Sequence, residues 1–243
     1  MAMAYDDKEI GMRSAAVRPK SIAEAKEVVQ RACHRMVTDG LVIGSAGNVS
    51  VRMADEALAG MIVVSAGGVP YDELGPEDHP VVSIADGQEK DGIKASSEIA
   101  LHLAIMRHIP WAGAVVHTHS RFAAAFSVAR QDIPFVCNEN AATWSDRILV
   151  TRPYAAPGSA ELGGVAIEAF DRQPGSRAVL LANHGVVALG DTAEEAGLLA
   201  AQVEWAANIA YLARTLGGET ILSPEEQDWI GRNYGKTFAR ETA

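Results

Sequence analysis

Residues 114–120 read AVVHTHS, an apolar run that ends in two histidines separated by one threonine. Side chains alternate between the two faces of a β-strand, so His117 and His119 are expected to project from the same face. Two imidazoles would then point at one spot. An isolated His-x-His pair also fits a solvated strand end or hydrogen-bonded residues at the edge of a core, so its meaning depends on what else the fold brings there.

The composition of the chain limits its architecture and its partners. Of its 243 residues, 48% are hydrophobic and 21% are charged, which predicts one compact α/β domain with a sizeable core. The formal net charge of −10 disfavours nucleic acid and anionic membranes as partners. Residues 1–14 lack the apolar segment of a signal peptide, and no apolar run approaches the ~20 residues of a transmembrane helix. We therefore expect a cytoplasmic protein with a small-molecule ligand.

Helix signals alternate with short apolar runs along the chain. Ser21 is a predicted N-cap whose capping box is completed by Glu24, and Gly40 ends that helix. A second helix is predicted to begin at Ser96 or Ser97, and the longest helix covers residues 192–218. The apolar runs between them are separated by Gly-rich turns, which favours antiparallel hairpins. Neither an internal repeat nor a linker interrupts this pattern, so a single domain is predicted.

Two residues elsewhere in the chain could complete a metal site with the histidine pair. His184 ends an apolar strand 65 residues after His119 and precedes a glycine that lets the backbone turn. Glu98 is predicted in the first turn of a helix, where the partial positive charge of the helix terminus favours an anion. Catalytic zinc usually takes three protein ligands and keeps one position open. Each residue taken alone also fits a structural role, His184 as a hydrogen-bonded histidine and Glu98 as a helix-stabilising carboxylate.

Three short segments of small residues could bind an anion. Ser96 and Ser97 lie at a predicted helix N-terminus, whose free N–H groups suit a phosphate. The turns GSAGNVS, residues 44–50, and SAGG, residues 65–68, could direct further N–H groups at an anion.

The order of these motifs resembles that of the class II aldolase/adducin family, and specifically its L-fuculose-1-phosphate aldolase branch. The motifs run as GNVSVR, VVSAGGVPYDEL, ASSE, AVVHTHS and NHGVVALG before a long C-terminal helix. The resemblance covers roughly residues 21–236. It implies an α/β/α fold around a central, mainly antiparallel sheet, with residues 1–20 as an N-terminal extension and 21–243 as the family domain. It also implies a homotetramer whose active sites lie between neighbouring subunits.

The same resemblance assigns roles to individual residues. It implies that His117, His119 and His184 bind a divalent metal, typically zinc, with manganese or cobalt as other ions that three imidazoles accept. It implies that Glu98 is the acid/base residue, and that Tyr234 is the counterpart of a tyrosine contributed by the tail of a neighbouring subunit. The implied phosphate-binding residues are Gly47, Asn48, Gly67, Gly68, Ser96 and Ser97.

The implied activity is cleavage of a ketose or deoxyketose 1-phosphate to dihydroxyacetone phosphate and an aldehyde. Two departures from the aldolase pattern keep other activities open. Asn138 stands where fuculose-phosphate aldolases carry a tyrosine, and an amide cannot donate a proton at neutral pH. Gly67 replaces a threonine of many relatives, which is compatible with a carboxylate in place of the phosphate. The alternatives are a decarboxylase of hydroxylated aromatic dicarboxylates, a pentulose-phosphate 4-epimerase, which usually has Asp at the position of Glu98, and an adducin-like scaffold without catalysis.

Overall fold

The computed structural model describes residues 18–143 and 145–234. Residues 1–17, most of the predicted N-terminal extension, lie outside the described residues. The helices are α1 (Ile22–Thr38), α2 (Ile99–His108), α3 (Arg121–Ala129), α4 (Ala160–Arg172), α5 (Ala193–Thr215) and α6 (Pro224–Tyr234). The strands are β1 (Asn48–Arg52), β2 (Met61–Val64), β3 (Val81–Ser83), β4 (Glu89–Asp91), β5 (Ala114–Thr118), β6 (Ile133–Pro134), β7 (Arg147–Ile148), β8 (Ala178–Leu181) and β9 (Gly185–Gly190).

Seven of these strands form one central sheet in the order β4-β3-β2-β1-β5-β9-β8. Each pair of neighbours in this sheet is antiparallel. The central strand β5 pairs with β1 on one side, with His117 opposite Asn48, and with β9 on the other, with His117 opposite Val187. The predicted α/β fold with a mainly antiparallel sheet is therefore confirmed.

Helices cover both faces of the sheet, which explains why β5, β8 and β9 are buried along their whole length. One core packs α1 and α5 on the face that carries Val49 and Val116. The other packs α2 and α4 on the face that carries Val115 and Val187. Because side chains alternate along β5, His117 lies on the same face as Val115 and is directed toward α2. None of the helices in the described part of the chain is long and apolar enough to cross a membrane.

The N-terminus of α1 differs in one detail from the predicted capping box. The Ser21 hydroxyl accepts a hydrogen bond from the Glu24 N–H, as predicted. The Glu24 carboxylate accepts from the backbone N–H of Lys20, one residue before the cap, and the prediction had placed this bond at Ser21. Because the chain turns before Ser21, the Lys20 N–H also lies within reach of the carboxylate. The helix ends before Gly40, whose φ of +69° is the left-handed conformation that follows many helices.

Candidate metal centre

The three histidines selected from the sequence meet at one end of β5 and β9. His117 lies in β5, His119 follows that strand by one residue, and His184 precedes β9 by one residue. Their ring centroids are 4.7 to 4.9 Å apart. The Nε2 atoms of His117 and His119 are separated by 3.0 Å. The antiparallel pairing of β5 with β9 therefore brings His184 to the pair despite its distance in sequence.

The hydrogen bonding of His117 determines which of its ring nitrogens faces the cluster. Its Nδ1–H donates to the Val186 carbonyl oxygen at 2.8 Å, so a neutral ring directs the lone pair of Nε2 into the cluster. That lone pair faces the Nε2 atom of His119 and a carboxylate oxygen of Glu98, which lies 3.1 Å away. Lone pairs this close together repel one another unless a proton or a metal ion lies between them. The fixed Nδ1–H bond is also the kind of support that metal-binding imidazoles commonly have.

Glu98 completes a group of four side chains whose ligand atoms lie within 4.8 Å of one another. It is the N-cap of α2 and precedes the first helical residue, so its predicted position in the first turn was wrong by one residue. Its Oε2 accepts a hydrogen bond from the Asn48 amide at 2.9 Å. Its Oε1 lies 3.4 Å from His184 Nε2, and that oxygen is buried without a hydrogen-bond partner among the described residues.

The electrostatics of the cluster favour neutral His119 and His184 rings and an ionised Glu98 carboxylate. Burial lowers the pKa of His119 and His184 to about 4, and repulsion from the other imidazoles acts in the same direction while Glu98 opposes it. Burial alone would raise the pKa of Glu98. When protons occupy the metal-free cluster, the hydrogen bond and attraction from His117, followed by the hydrogen bond from the Asn48 amide and the attraction from His184, outweigh this effect and hold the Glu98 pKa well below its usual range. Neutral imidazoles and a carboxylate anion are the forms that bind metal ions.

The small-residue segments gather beside Glu98. Ser96 is buried, and its hydroxyl accepts from the Glu98 N–H at 3.3 Å, whereas Ser97 is exposed. A Cβ atom at Gly67 would lie 3.0 Å from Ser96 Cα, so the turn that contains Gly67 and Gly68 packs directly on this helix start. A Cβ at Gly47 would lie 2.7 Å from the His117 carbonyl oxygen, so only glycine fits there. Asn48, Gly67 and Ser96 therefore lie at the start of α2 with Ser97, whereas Gly47 packs on the end of β5.

Tyr234 and Asn138 have no described contact with the histidine cluster, and a third residue near the cluster, His102, was not predicted. Tyr234 is the last residue of α6, and its side chain lies outside the described part of the structure. Asn138 begins a 3-10 helix, Asn138–Thr143, which packs on α5 and α6. His102 is a fully buried histidine whose Nε2 is hydrogen-bonded to the Asn48 side chain. Its spacing of four from Glu98, on one face of a helix, is the signal that could have found it.

The model of the class II aldolase and adducin N-terminal domain matches residues 27–211 of this sequence. The chain belongs to the class II aldolase and adducin family. This family is metal-dependent, and the Glu/His cluster could bind such an ion. Because the chain belongs to the aldolase branch of this family, it is a lyase.

The relatives of this class II aldolase act on sugar phosphates. The chain is 36% identical over 204 residues to the L-fuculose phosphate aldolase of Escherichia coli strain K12, covering 83% of this chain and 89% of that one. It is 31% identical over 202 residues to the 5-deoxy-D-ribulose 1-phosphate aldolase of Bacillus thuringiensis serovar kurstaki, covering 82% and 90%. A solved L-fuculose 1-phosphate aldolase structure superposes with a TM-score of 0.80 at 26% identity, covering 91% of this chain and all of that one.

Proposed function

We propose that this protein is a zinc-dependent aldolase that cleaves a ketose or deoxyketose 1-phosphate into dihydroxyacetone phosphate and an aldehyde. The observation that carries the proposal is the convergence of three imidazoles and the Glu98 carboxylate beside the N-terminus of α2. One oxygen of that carboxylate, Oε1, has no hydrogen-bond partner among the described residues. The sugar-phosphate aldolases among the relatives support the substrate class.

In this proposal the metal ion is held by His117, His119 and His184. When bound, such an ion supplies Lewis acidity, which stabilises negative charge that develops on the substrate by several kcal/mol. Neutral imidazole ligands leave most of the ionic charge available for this purpose. Manganese and cobalt suit the same donor set, so the working ion is to be identified by metal analysis.

The carboxylate and the small-residue turns carry the remaining steps. In the direction of condensation Glu98 removes a proton from C3 of dihydroxyacetone phosphate, and in cleavage it returns that proton. We assign the transfer to Oε1, because Oε2 already accepts from Asn48. The substrate phosphate is bound by the helix N-terminus and the turns around it, that is, by Gly47, Asn48, Gly67, Gly68, Ser96 and Ser97.

We further propose that residues 21–243 act as one cytoplasmic unit that assembles as a homotetramer, with Tyr234 reaching the site of a neighbouring subunit. Large apolar side chains that remain exposed on α5 and α6 support an assembly: Trp205 is 53% exposed and Trp229 is 55% exposed. Light scattering on a size-exclusion column measures the assembly, and a monomer at micromolar concentration would contradict it.

The proposed activity is tested with metal-analysed protein, dihydroxyacetone phosphate and a panel of short aldehydes. We expect a new ketose 1-phosphate by mass spectrometry, with one aldehyde preferred, and its loss when a chelator removes the metal. His119→Ala should lose both metal and product. The matched variant His108→Ala, which changes a partly exposed histidine of α2, should retain both.

A protein that holds stoichiometric metal and forms no adduct with any aldehyde would contradict the proposal. Hydroxylated aromatic dicarboxylates and pentulose 5-phosphates are then the next panels, since a decarboxylase or an epimerase would act on them at the same centre.

A further inference from the structure

A row of four polar side chains connects Glu98 to the interior between β1 and α2. Glu98 Oε2 accepts from the Asn48 amide at 2.9 Å, and the other end of that amide is hydrogen-bonded to His102 Nε2. The opposite ring nitrogen of His102, Nδ1, lies 2.7 Å from the Ser50 hydroxyl. His102 and Ser50 are fully buried, and Asn48 and Glu98 are 2% and 5% exposed. Water therefore has little access to any of these bonds.

The row follows from matched spacings on a helix and a strand. Glu98 and His102 are four residues apart at the start of α2, a rise of about 6 Å on one helix face. Asn48 and Ser50 are two residues apart on β1, a rise of about 6.6 Å on one strand face. The two pairs therefore lie side by side at similar separations, and the side chains interleave.

The direction of every hydrogen bond in the row is set by the carboxylate. Because an ionised carboxylate can only accept, the NH₂ group of Asn48 must face Glu98. The Asn48 carbonyl oxygen then faces His102, whose Nε2 must carry the proton. A neutral ring with a proton on Nε2 has an acceptor at Nδ1, so the Ser50 hydroxyl donates to it.

His102 is suited to hold this arrangement and not to exchange protons itself. Burial lowers the pKa of His102 to about 3, with a smaller contribution in the same direction from His117 and an opposing one from Glu98. The ring therefore stays neutral at physiological pH and offers one N–H. That N–H keeps the Asn48 amide from rotating its oxygen toward the carboxylate.

We propose that His102 is a positioning residue for Glu98, acting through the Asn48 amide to hold Oε2 and leave Oε1 free to exchange the substrate proton. This inference rests on the proposed function, since it assigns a role in the proton transfer at C3. Without the His102 N–H, the amide can turn by 180° and place its oxygen against Oε2. Glu98 then loses a donor and gains a repulsive neighbour.

The test isolates the step that Glu98 performs. The protein is incubated with dihydroxyacetone phosphate in D₂O without any aldehyde, and loss of one C3–H signal is followed by proton NMR. His102→Gln places an amide nitrogen near the former Nε2 position, whereas His102→Asn places it near Nδ1, out of reach of Asn48. We expect His102→Asn to lower kcat for exchange at least 30-fold with KM and metal content unchanged, and His102→Gln to stay within about 5-fold of the unmodified protein. His108→Asn, the matched change on the exposed side of α2, should have no effect.

Equal losses in His102→Asn and His102→Gln would overturn the proposal, because a purely structural role does not distinguish the two positions of the nitrogen. Full exchange activity in His102→Asn would overturn it as well. A second readout needs no activity: the side-chain ¹H–¹⁵N spectrum of the unmodified protein should show a slowly exchanging proton on His102 Nε2, and a proton on Nδ1 would contradict the row. If the unmodified protein with bound metal shows no exchange, the proposed function fails, whereas the NMR result still decides the orientation of the row.

Discussion

Gly185 lies where β9 passes closest to the metal centre, and replacing it by alanine should damage the site without removing a ligand. A Cβ atom at this position would lie 2.2 Å from the Thr118 carbonyl oxygen. It would also lie 3.2 Å from a ring carbon of His117 and 3.2 Å from one of His119. The added methyl group therefore presses on the end of β5, where His117 and His119 lie, and on both of their rings.

The size of the effect follows from this geometry. A carbon and an oxygen in contact are separated by more than 3 Å, so β5 and β9 must move apart by about 1 Å to accept the methyl group. Overpacking of this kind destabilises a core by about 1 to 3 kcal/mol. Disturbing the support of metal ligands typically lowers metal affinity by about 10- to 100-fold. We expect both changes in Gly185→Ala.

Gly164→Ala is the matched control, because a Cβ at Gly164, on the exposed side of α4, meets no atom within 4 Å. It should leave metal affinity unchanged and stabilise the helix by about 0.5 to 1 kcal/mol. Metal affinity is measured by competition with a chromophoric chelator, and stability by urea unfolding of the metal-free proteins. Unchanged affinity and stability in Gly185→Ala would refute the reasoning that this close packing positions the histidines.

Three further predictions concern the carboxylates and the buried histidines. Glu98→Gln should keep its metal and lower kcat by about 10²- to 10⁴-fold, as expected for the loss of an acid/base group. The aldol assay measures kcat, and metal analysis measures the metal content. Glu204→Ala should lower the free energy of unfolding by about 1 to 3 kcal/mol, because the Glu204 carboxylate accepts from the N–H groups of Phe122 and Ala123 at 2.9 Å and caps α3. Stability of the metal-free protein should fall as the pH drops from 6.5 toward 4, since burial lowers the pKa of His79 to about 4 and that of His102 to about 3. In this range the unfolded chain binds more protons than the native protein. Each of these two histidines therefore lowers the free energy of unfolding by up to about 1.4 kcal/mol per pH unit. Urea midpoints at pH 7, 6 and 5 measure the change.

Each of these predictions has an outcome that would contradict it. Glu168→Gln, an exposed change on α4, should remain fully active, and equal activity in Glu98→Gln would exclude Glu98 from proton transfer. Glu161→Ala removes an exposed carboxylate from the first turn of α4 and should cost only a few tenths of a kcal/mol; a similar small loss in Glu204→Ala would show that the cap is unimportant. A urea midpoint that is the same at pH 7, 6 and 5 would contradict the conclusion that His79 and His102 are buried in the neutral form.

Local sequence patterns predicted those features of the structure that depend only on neighbouring residues, such as helix caps and the face of a strand on which a side chain lies. The period of two in AVVHTHS placed His117 and His119 on one face, and the structure confirms that their rings meet. The Ser21 cap of α1 and the long helix α5 were predicted in the same way, from signals within a few residues of each other. The order of the five family motifs also predicted the fold, because a family resemblance implies the arrangement of all the helices and strands together.

What the patterns did not predict depends on contacts between distant residues. The sequence predicted Ser96 or Ser97 as the N-cap of α2, whereas the N-cap is Glu98, and Ser96 packs against the distant Gly67 turn. His102 lies among the apolar residues of α2, and its partners Asn48 and Ser50 are more than 50 positions away. Such a row becomes visible only when β1 and α2 are placed side by side.

The pairing of β5 with β9 also determines when the metal centre can exist. These strands join residues about 70 positions apart, and closing so long a loop is slow compared with forming the hairpins of β1 to β4. The three imidazoles converge only after that closure, so the complete set of ligands exists only in states in which β5 and β9 are paired. Metal binding should accordingly lengthen the lifetime of the native protein by slowing its unfolding, while leaving the rate of folding nearly unchanged.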